Sequence, residues 1–315
     1  MRILIFGVGG FIGSHLAHDF AERYEVGCVS TRPTTQQSGA HFQICATSPN
    51  FDAVVSEFRP DVCIACFGAA NPGASFAQRD RDFDLNVLKL RALLEAVRSS
   101  APGARVIHLS SAAVYGNPLQ LPIPEAAPFY PISPYGWHKR QAELICEEYS
   151  IVGDVPTLSF RIFSAYGPGL QRQILWDAGQ RIMAADAAGV TELTMSGTGA
   201  ESRDFIYISD LVRAIETGML SSAFTGEQIN VANGEEISIR RAVETMAREL
   251  EWWGEVTFSG VSRPGDPINW RADISRLTTL GYEPNHSFDD GVKRLASWMR
   301  GMPDGNRANI GSHRE

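Results

Sequence analysis

Short apolar runs alternate with amphipathic segments along the first half of the chain. Unbroken apolar runs are typical of buried parallel strands, and apolar residues spaced three and four apart are typical of helices. This pattern predicts strands at Arg2–Phe6, Glu25–Ser30, Gln43–Ala46, Val62–Phe67, Ala104–Ser110 and Thr157–Phe163. It predicts helices at Phe11–Arg23, Phe51–Phe58, Leu85–Arg98 and Ser133–Tyr149. Because such alternation places helices on both faces of a sheet, we expect a doubly wound parallel α/β fold.

The second half is less regular and predicts a smaller α+β lobe. Its candidate helices are Gln173–Ala188, Asp210–Leu220, Ser238–Glu249 and Phe288–Met299. Its candidate strands are Glu192–Met195, Phe205–Ile208, Ile229–Ala232 and Glu255–Ser259. We therefore expect a main domain over residues 1–165 and a lobe over 166–300, with some strands of the lobe returning to the main sheet. The polar, Gly- and Asn-rich stretch 301–315 is predicted to be a disordered tail.

The composition of the chain argues against nucleic-acid-binding and membrane-spanning classes of protein. The chain has 315 residues and a net charge of −8, which disfavours nucleic acid as a partner because duplex binding relies on a basic surface. No apolar run approaches the roughly 18–20 residues of a membrane span, and the start lacks the pattern of a signal peptide. The five scattered cysteines indicate a reducing, cytoplasmic compartment. Cys63 and Cys66 lie in an apolar run and are predicted to be buried strand residues, so no metal site is expected.

A glycine-rich turn follows the first strand. Gly7, Gly10 and Gly13 have three-residue spacing, and Phe11 and Ile12 begin the next helix. Glycines permit a tight turn and a close approach of the backbone to a pyrophosphate, which the amide groups of a helix N-terminus then bind. The position of the turn inside a strand–helix–strand unit predicts a Rossmann-type dinucleotide site that contains these five residues.

The end of the second strand bears on the choice of cofactor. NAD-binding proteins usually have an acidic residue there, which accepts hydrogen bonds from the adenosine ribose. This chain instead has Ser30, Thr31 and Arg32. Ser30 and Arg32 are suited to a 2′-phosphate, so we expect NADP(H), while NAD(H) without an acidic anchor stays open.

Tyr135 and Lys139 lie four residues apart on a predicted helix, so their side chains share one face. A free phenol titrates near pH ~10, and a neighbouring ammonium group favours its ionised form. Tyr135 is then able to exchange a proton with a carbonyl or hydroxyl oxygen of a substrate. Lys139 would also hold the nicotinamide ribose, and Ser111, which follows a predicted strand, would orient the same substrate oxygen.

Six stretches that occur in order along the chain match one family. Together they resemble the extended short-chain dehydrogenases/reductases, in the group of NAD(P)-dependent nucleotide-sugar epimerases, reductases and dehydratases. The stretches are Gly7–Gly13, Ser110–Gly116, Ser133–Lys139, Arg161–Gly169, Arg203–Asp210 and Arg263–Asp266.

The resemblance implies a nucleoside-diphosphate sugar as the substrate and a homodimer formed through the helices at 85–98 and 133–149. It implies that the catalytic triad is Ser111, Tyr135 and Lys139. It also places Asn86 beside the cofactor, where Tyr135 and Lys139 lie as well. The implied substrate-binding residues are Ser164, at the position of the family's asparagine, and Arg203 and Arg263, whose guanidinium groups suit a diphosphate.

Departures from the family pattern separate the possible reactions. Ala112 and Ala113 follow Ser111 where dehydratases of the family have an acidic pair, so dehydration is not expected. The missing acid after the second strand favours a reductase that transfers hydride from NADPH to a 4-keto sugar. The alternative is a 4-epimerase with tightly held NAD and no net redox change, and the remote alternative is a non-catalytic dinucleotide-binding scaffold. His138 is expected at the surface or in an interface, because it points about 100° away from Lys139 on the helix.

Overall fold

A seven-stranded parallel sheet forms the centre of the fold, in the strand order β11-β6-β5-β4-β1-β2-β3. The structure is a computed structural model and describes residues 1–33, 39–261 and 265–302. Three further strand pairs, β7 with β10, β9 with β12 and β8 with β13, lie outside this sheet. The strands are β1 (Arg2–Phe6), β2 (Glu25–Ser30), β3 (Ala40–Gln43), β4 (Val62–Ala65), β5 (Arg105–Ser111), β6 (Thr157–Ile162), β7 (Ser164–Tyr166), β8 (Glu192–Met195), β9 (Ser202–Arg203), β10 (Phe205–Tyr207), β11 (Thr225–Val231), β12 (Ile237–Ser238) and β13 (Glu255–Phe258).

Helices cover both faces of the sheet. Several begin at a serine whose hydroxyl accepts a hydrogen bond from a backbone N–H of the first turn, as Ser133, Ser238 and Ser287 do. The helices are α1 (Phe11–Phe20), α2 (Phe51–Phe58), α3 (Pro72–Ser75), α4 (Arg79–Phe83), α5 (Lys89–Ser100), α6 (Pro134–Val152), α7 (Gln173–Ala187), α8 (Ile208–Ser221), α9 (Ile239–Glu249), α10 (Ser275–Thr279) and α11 (Phe288–Arg300). A π-helical segment, Asp84–Leu88, joins α4 to α5.

The core has one apolar layer on each side of the sheet. Side chains of a strand alternate between faces, so Ile3 and Ile5 of β1 enter one layer while Leu4 and Phe6 enter the other. All four are fully buried. The layer that contains Ile3 continues into the second half of the chain through α7, α8, α9 and α11. The two halves therefore share one core, which holds the loops at the carboxyl ends of the strands in fixed positions.

The predicted fold class, a Rossmann-type parallel sheet with helices on both faces, is confirmed. β11 comes from the second half of the chain and pairs in parallel with β6. The boundary between the domains at residue 165 stays a prediction. The predicted disordered tail lies outside the described residues from residue 303 onward. Within the described ranges, every helix is too short or too polar to cross a membrane.

Several predicted elements have different bounds in the structure, and two of them show why. The strand predicted at Gln43–Ala46 is found at Ala40–Gln43, where Gly27 of β2 pairs with Ala40. Pairing with β2 decides this register, and an edge strand tolerates polar side chains that hide the apolar pattern. The helix predicted at Leu85–Arg98 begins earlier, at Arg79, and includes the π-helical segment.

Candidate active site

The glycine turn has the geometry of a dinucleotide site. Gly7 has a φ of +86°, in the left-handed region, and the amide of Gly10 donates to the carbonyl of Gly7 over 2.9 Å. A Cβ at Gly13 would lie 2.4 Å from that same carbonyl oxygen, so only glycine permits this approach of α1. No side chain caps the start of α1, where Phe11 and Ile12 lie half-buried, so amide groups of its first turn are available to an anion.

Gly13→Ala is expected to abolish the stabilisation of the protein by a nicotinamide dinucleotide, because the new methyl group forces the carbonyl of Gly7 out of the turn. Thermal denaturation with and without NAD measures this effect. Gly9→Ala is the matched control, since a Cβ at Gly9 has open space and should leave the melting temperature of the cofactor-free protein near that of the wild type. An undiminished NAD effect in Gly13→Ala would contradict the prediction.

The end of β2 carries the residues that bear on cofactor choice. The hydroxyl of Ser30 is nearly buried and donates to the backbone carbonyl of Arg32. Ser30 therefore shapes the loop in this structure, and the side chain of Arg32 is exposed. The described residues next to this strand end, Thr31 to Pro33, contain no carboxylate.

Helix α6 presents Tyr135 and Lys139 to the end of β5. Lys139 is 4% exposed, and its ammonium group donates to the carbonyl of Leu109 over 2.9 Å. The Nζ atom lies 5.9 Å from the centre of the Tyr135 ring. Tyr135 is 7% exposed and contacts Ser111, which ends β5. The structure thus brings the predicted triad together in a site shielded from water.

Burial and neighbouring charges set the ionisation of the pair. Burial lowers the pKa of Lys139 to about 8, while the carboxylates of Asp82 and Glu143 oppose this effect. Burial raises the pKa of Tyr135, while a hydrogen bond with Ser111 and the positive charge of Arg172 oppose the rise. In the free protein the phenol is therefore the resting form near neutral pH.

Asn86 lies in the π-helical segment, a feature that is often found at functional sites. Its Oδ1 atom is buried and has no hydrogen-bond partner, while its Nδ2 atom donates to Asp82. A Cβ at Gly68 would lie 2.6 Å from Oδ1 of Asn86 and 3.5 Å from Nζ of Lys139. These three features fit the hydroxyl groups of a nicotinamide ribose: an acceptor without a partner, an ammonium group and a space that exists only because residue 68 is glycine.

A buried ion pair between Arg161 and Glu143 links β6 to α6, the helix that carries Tyr135 and Lys139. Glu143 lies one turn after Lys139, and both of its oxygens accept hydrogen bonds of 2.9 Å from Arg161. Both side chains are fully buried. Ser110 also donates to Glu143 over 2.6 Å, and Arg161 donates to the hydroxyl of Tyr115 over 2.8 Å. This network joins β5, β6 and α6 behind the triad.

Two of the predicted substrate residues lie in β7 and β9. Ser164 begins β7 and is partly exposed. Arg203 donates to the carbonyls of Ser202 and Ile268, and its guanidinium group lies 5.6 Å from the centre of the Trp270 ring. Part of its hydrogen-bonding capacity is therefore used within the protein. Arg263 lies outside the described residues.

The sequence interpretation did not include Asp82, Gly68 and Arg172 among the candidate site residues, and it placed His138 at the surface or in an interface. The imidazole of His138 is 13% exposed and contacts the buried carboxylate of Asp82 over 2.5 Å, so most of it lies inside the fold, and its place in an interface stays a prediction. Asp82 lies four residues before Asn86, and this helical spacing would have indicated the contact between these two side chains. The others, Gly68 and Arg172, carry no comparable signal, because their positions depend on the tertiary fold.

Comparison with known proteins agrees with this geometry. A family model described as "NAD dependent epimerase/dehydratase family" matches residues 3–232. A putative UDP-glucose 4-epimerase from Methanocaldococcus jannaschii is 27% identical, over 95% of this chain and 98% of the relative. The structure of MoeE5 in complex with UDP-glucose and NAD is 26% identical, with a TM-score of 0.83 over 95% of this chain and 99% of MoeE5. The UDP-glucuronic acid 4-epimerase of Bacillus cereus, 24% identical over 95% of this chain and 99% of its own, has the same fold with a TM-score of 0.85. The chain is therefore an enzyme of the NAD dependent epimerase/dehydratase family, within the extended short-chain dehydrogenases/reductases.

Proposed function

We propose that the protein is an NAD-dependent 4-epimerase of a UDP-linked hexose. The observation that carries the proposal is the buried grouping of Tyr135, Lys139 and Ser111 beside a glycine turn that fits a dinucleotide. The relatives named as UDP-glucose 4-epimerases, which align over nearly the whole chain, support this reaction over the 4-keto reduction that the sequence favoured. Ala112 and Ala113 supply no acid or base for a dehydration.

Tyr135, Ser111 and Lys139 each have a separate role in the proposed reaction. When bound, NAD would supply a reversible hydride acceptor for C4 of the sugar. Tyr135 removes the proton from the hydroxyl group on C4 and later returns it, and Ser111 donates a hydrogen bond to the same oxygen. The ammonium group of Lys139 favours the ionised phenol and binds the ribose hydroxyls. Burial excludes water, which strengthens each of these interactions.

We propose NAD rather than NADP(H) as the cofactor. The structures of MoeE5 were determined with NAD, which supports this choice, and nothing in the comparisons supports the preference for NADP(H). The exposed position of Arg32 fits a loop side chain as well as a phosphate ligand. Gly7, Gly10 and Gly13 would then hold the pyrophosphate.

We propose that residues 166–300 mostly bind the sugar nucleotide. Ser164, Arg203 and Arg263 are the proposed contacts, with the arginines at the diphosphate. Because none of the five cysteines forms a disulfide, we also propose a cytoplasmic location, which imaging of a tagged chain would test.

We propose a homodimer formed through α5 and α6. Trp137 and Leu144 of α6 are about half exposed, as is Leu88 at the end of the π-helical segment before α5, which supports an apolar interface there. Light scattering is expected to give twice the mass of one chain.

The test of the function is an assay without added cofactor. The purified protein is incubated with a panel of UDP-hexoses, and the sugars are separated by chromatography. We expect conversion of one sugar to its C4 epimer, and NAD in the extract of the denatured protein. Consumption of NADPH with a 4-keto sugar nucleotide, in the absence of epimer formation, would instead establish the reductase.

A further inference from the structure

A histidine–carboxylate pair outside the triad joins the two helices that form the site. The imidazole of His138 on α6 contacts Oδ1 of Asp82 on α4 over 2.5 Å. Asp82 is 2% exposed, and the ring of Phe83 packs edge-on against the imidazole with centroids 5.4 Å apart. Burial of a carboxylate costs free energy of folding unless the group is well partnered, so the presence of Asp82 at this place needs a reason.

The carboxylate also holds a residue of the site. Oδ1 of Asp82 accepts a hydrogen bond of 3.1 Å from Nδ2 of Asn86, and the backbone carbonyl of Asp82 accepts a second one. These two bonds fix the amide plane of Asn86 and leave its Oδ1 atom facing the gap at Gly68. The ammonium group of Lys139 borders the same gap.

We propose that Asp82 and His138 are a positioning pair for the proposed reaction, in which the imidazole fixes a buried carboxylate within electrostatic reach of Lys139. The proposal rests on the proposed function for its catalytic consequence, but the pair itself is present in the free protein. His138 immediately precedes Lys139 on α6, so its contact with α4 also fixes the rotation of the catalytic helix.

Several titratable groups interact with the ammonium of Lys139, and they lie on α4, on α6, after β4 and on β5. Asp82 is the one on α4, and its negative charge favours the protonated lysine. The same charge disfavours ionisation of Tyr135. The other titratable groups that act on or respond to Lys139 are Glu143 and Cys146 on α6, Cys66 after β4 and His108 on β5.

The chain offers an unusually direct test, because Lys89, Lys139 and Lys293 are its only lysines. Carbon-13 labelling of lysine therefore gives three side-chain signals, whose titration is followed by NMR in the cofactor-free protein. In the wild type we expect the signal of Lys139 to titrate near pH 8. This readout needs no substrate, so its outcome is independent of whether the proposed epimerase activity is correct.

Two variants are expected to lower the midpoint of Lys139, to different extents. Asp82→Asn keeps an Oδ1 acceptor but removes the charge, so the midpoint should fall by roughly one pH unit. His138→Asn removes the imidazole that holds the carboxylate near Lys139, so the midpoint should fall by less than in Asp82→Asn. If Asp82→Asn fails to fold, His138→Asn alone decides the question.

The matched control is Asp84→Asn, which removes a carboxylate two residues away whose partner is Lys89. It should change the titration of Lys89 and leave that of Lys139 unchanged. In an active preparation, Asp82→Asn should also move the pH profile of kcat/KM in the same direction as the midpoint. A Lys139 midpoint that is the same in Asp82→Asn, His138→Asn and the wild type would overturn the proposal.

Discussion

Replacing Tyr135 with phenylalanine is expected to lower kcat by about 10³-fold while the protein stays folded. General acid–base catalysis by a positioned side chain contributes roughly 10²–10⁴-fold, and the phenol is the group proposed to exchange the proton at the C4 oxygen. The hydroxyl group is the only part removed, and the ring of Tyr135 stays in the buried apolar cluster that also includes Ala113 and Phe163. Steady-state kinetics measure the loss of kcat, and NAD binding by the same preparation shows whether the protein is still folded.

Tyr130→Phe is the matched control for that experiment. Tyr130 precedes α6 and is 58% exposed, so loss of its hydroxyl group should leave kcat unchanged. The role proposed for Tyr135 is wrong if Tyr135→Phe turns over substrate at the rate of this control.

Replacing Arg161 with methionine is expected to lower the free energy of unfolding by about 3–5 kcal/mol, because it leaves the carboxylate of Glu143 buried without its main partner. Arg161 and Glu143 are both fully buried and share two hydrogen bonds of 2.9 Å. Ser110 and Arg140 still donate to Glu143, which prevents a larger loss. Urea denaturation measures the change.

Arg248→Met provides the comparison. Arg248 is half exposed and pairs with Glu249 and Asp289 at the surface, so its loss should cost only about 0–1 kcal/mol. Equal losses of stability in the two variants would show that burial of the Arg161–Glu143 pair does not matter.

Much of the fold could be predicted because local pattern and tertiary structure agree. β1, β2 and α2 have the predicted bounds, since each combines an apolar run or face with a clear end signal. Arg59, for example, ends α2 in the left-handed conformation and precedes Pro60, which cannot continue a helix. The glycine turn and the four-residue spacing of Tyr135 and Lys139 could also be predicted, because each function needs a fixed local geometry.

The remaining features depend on contacts between distant segments. β3 takes its register from β2, and the π-helical segment around Asn86 has no signal in residue spacing. The contact between His138 and Asp82 was not predicted, because Asp82 lies on another helix. The preference for NADP(H) rested on the absence of an acid at one strand end, and such an absence specifies a cofactor only weakly.

The most direct test of the proposed epimerisation follows the hydrogen on C4 of the sugar. UDP-glucose that carries deuterium at C4 is incubated with the protein in ordinary water, without added cofactor, and the product is examined by NMR and mass spectrometry. We predict the C4 epimer with the deuterium still on C4, because hydride is removed and returned within one closed site. Failure to form the epimer from this or any other UDP-hexose, or replacement of the deuterium by solvent hydrogen, would contradict the account.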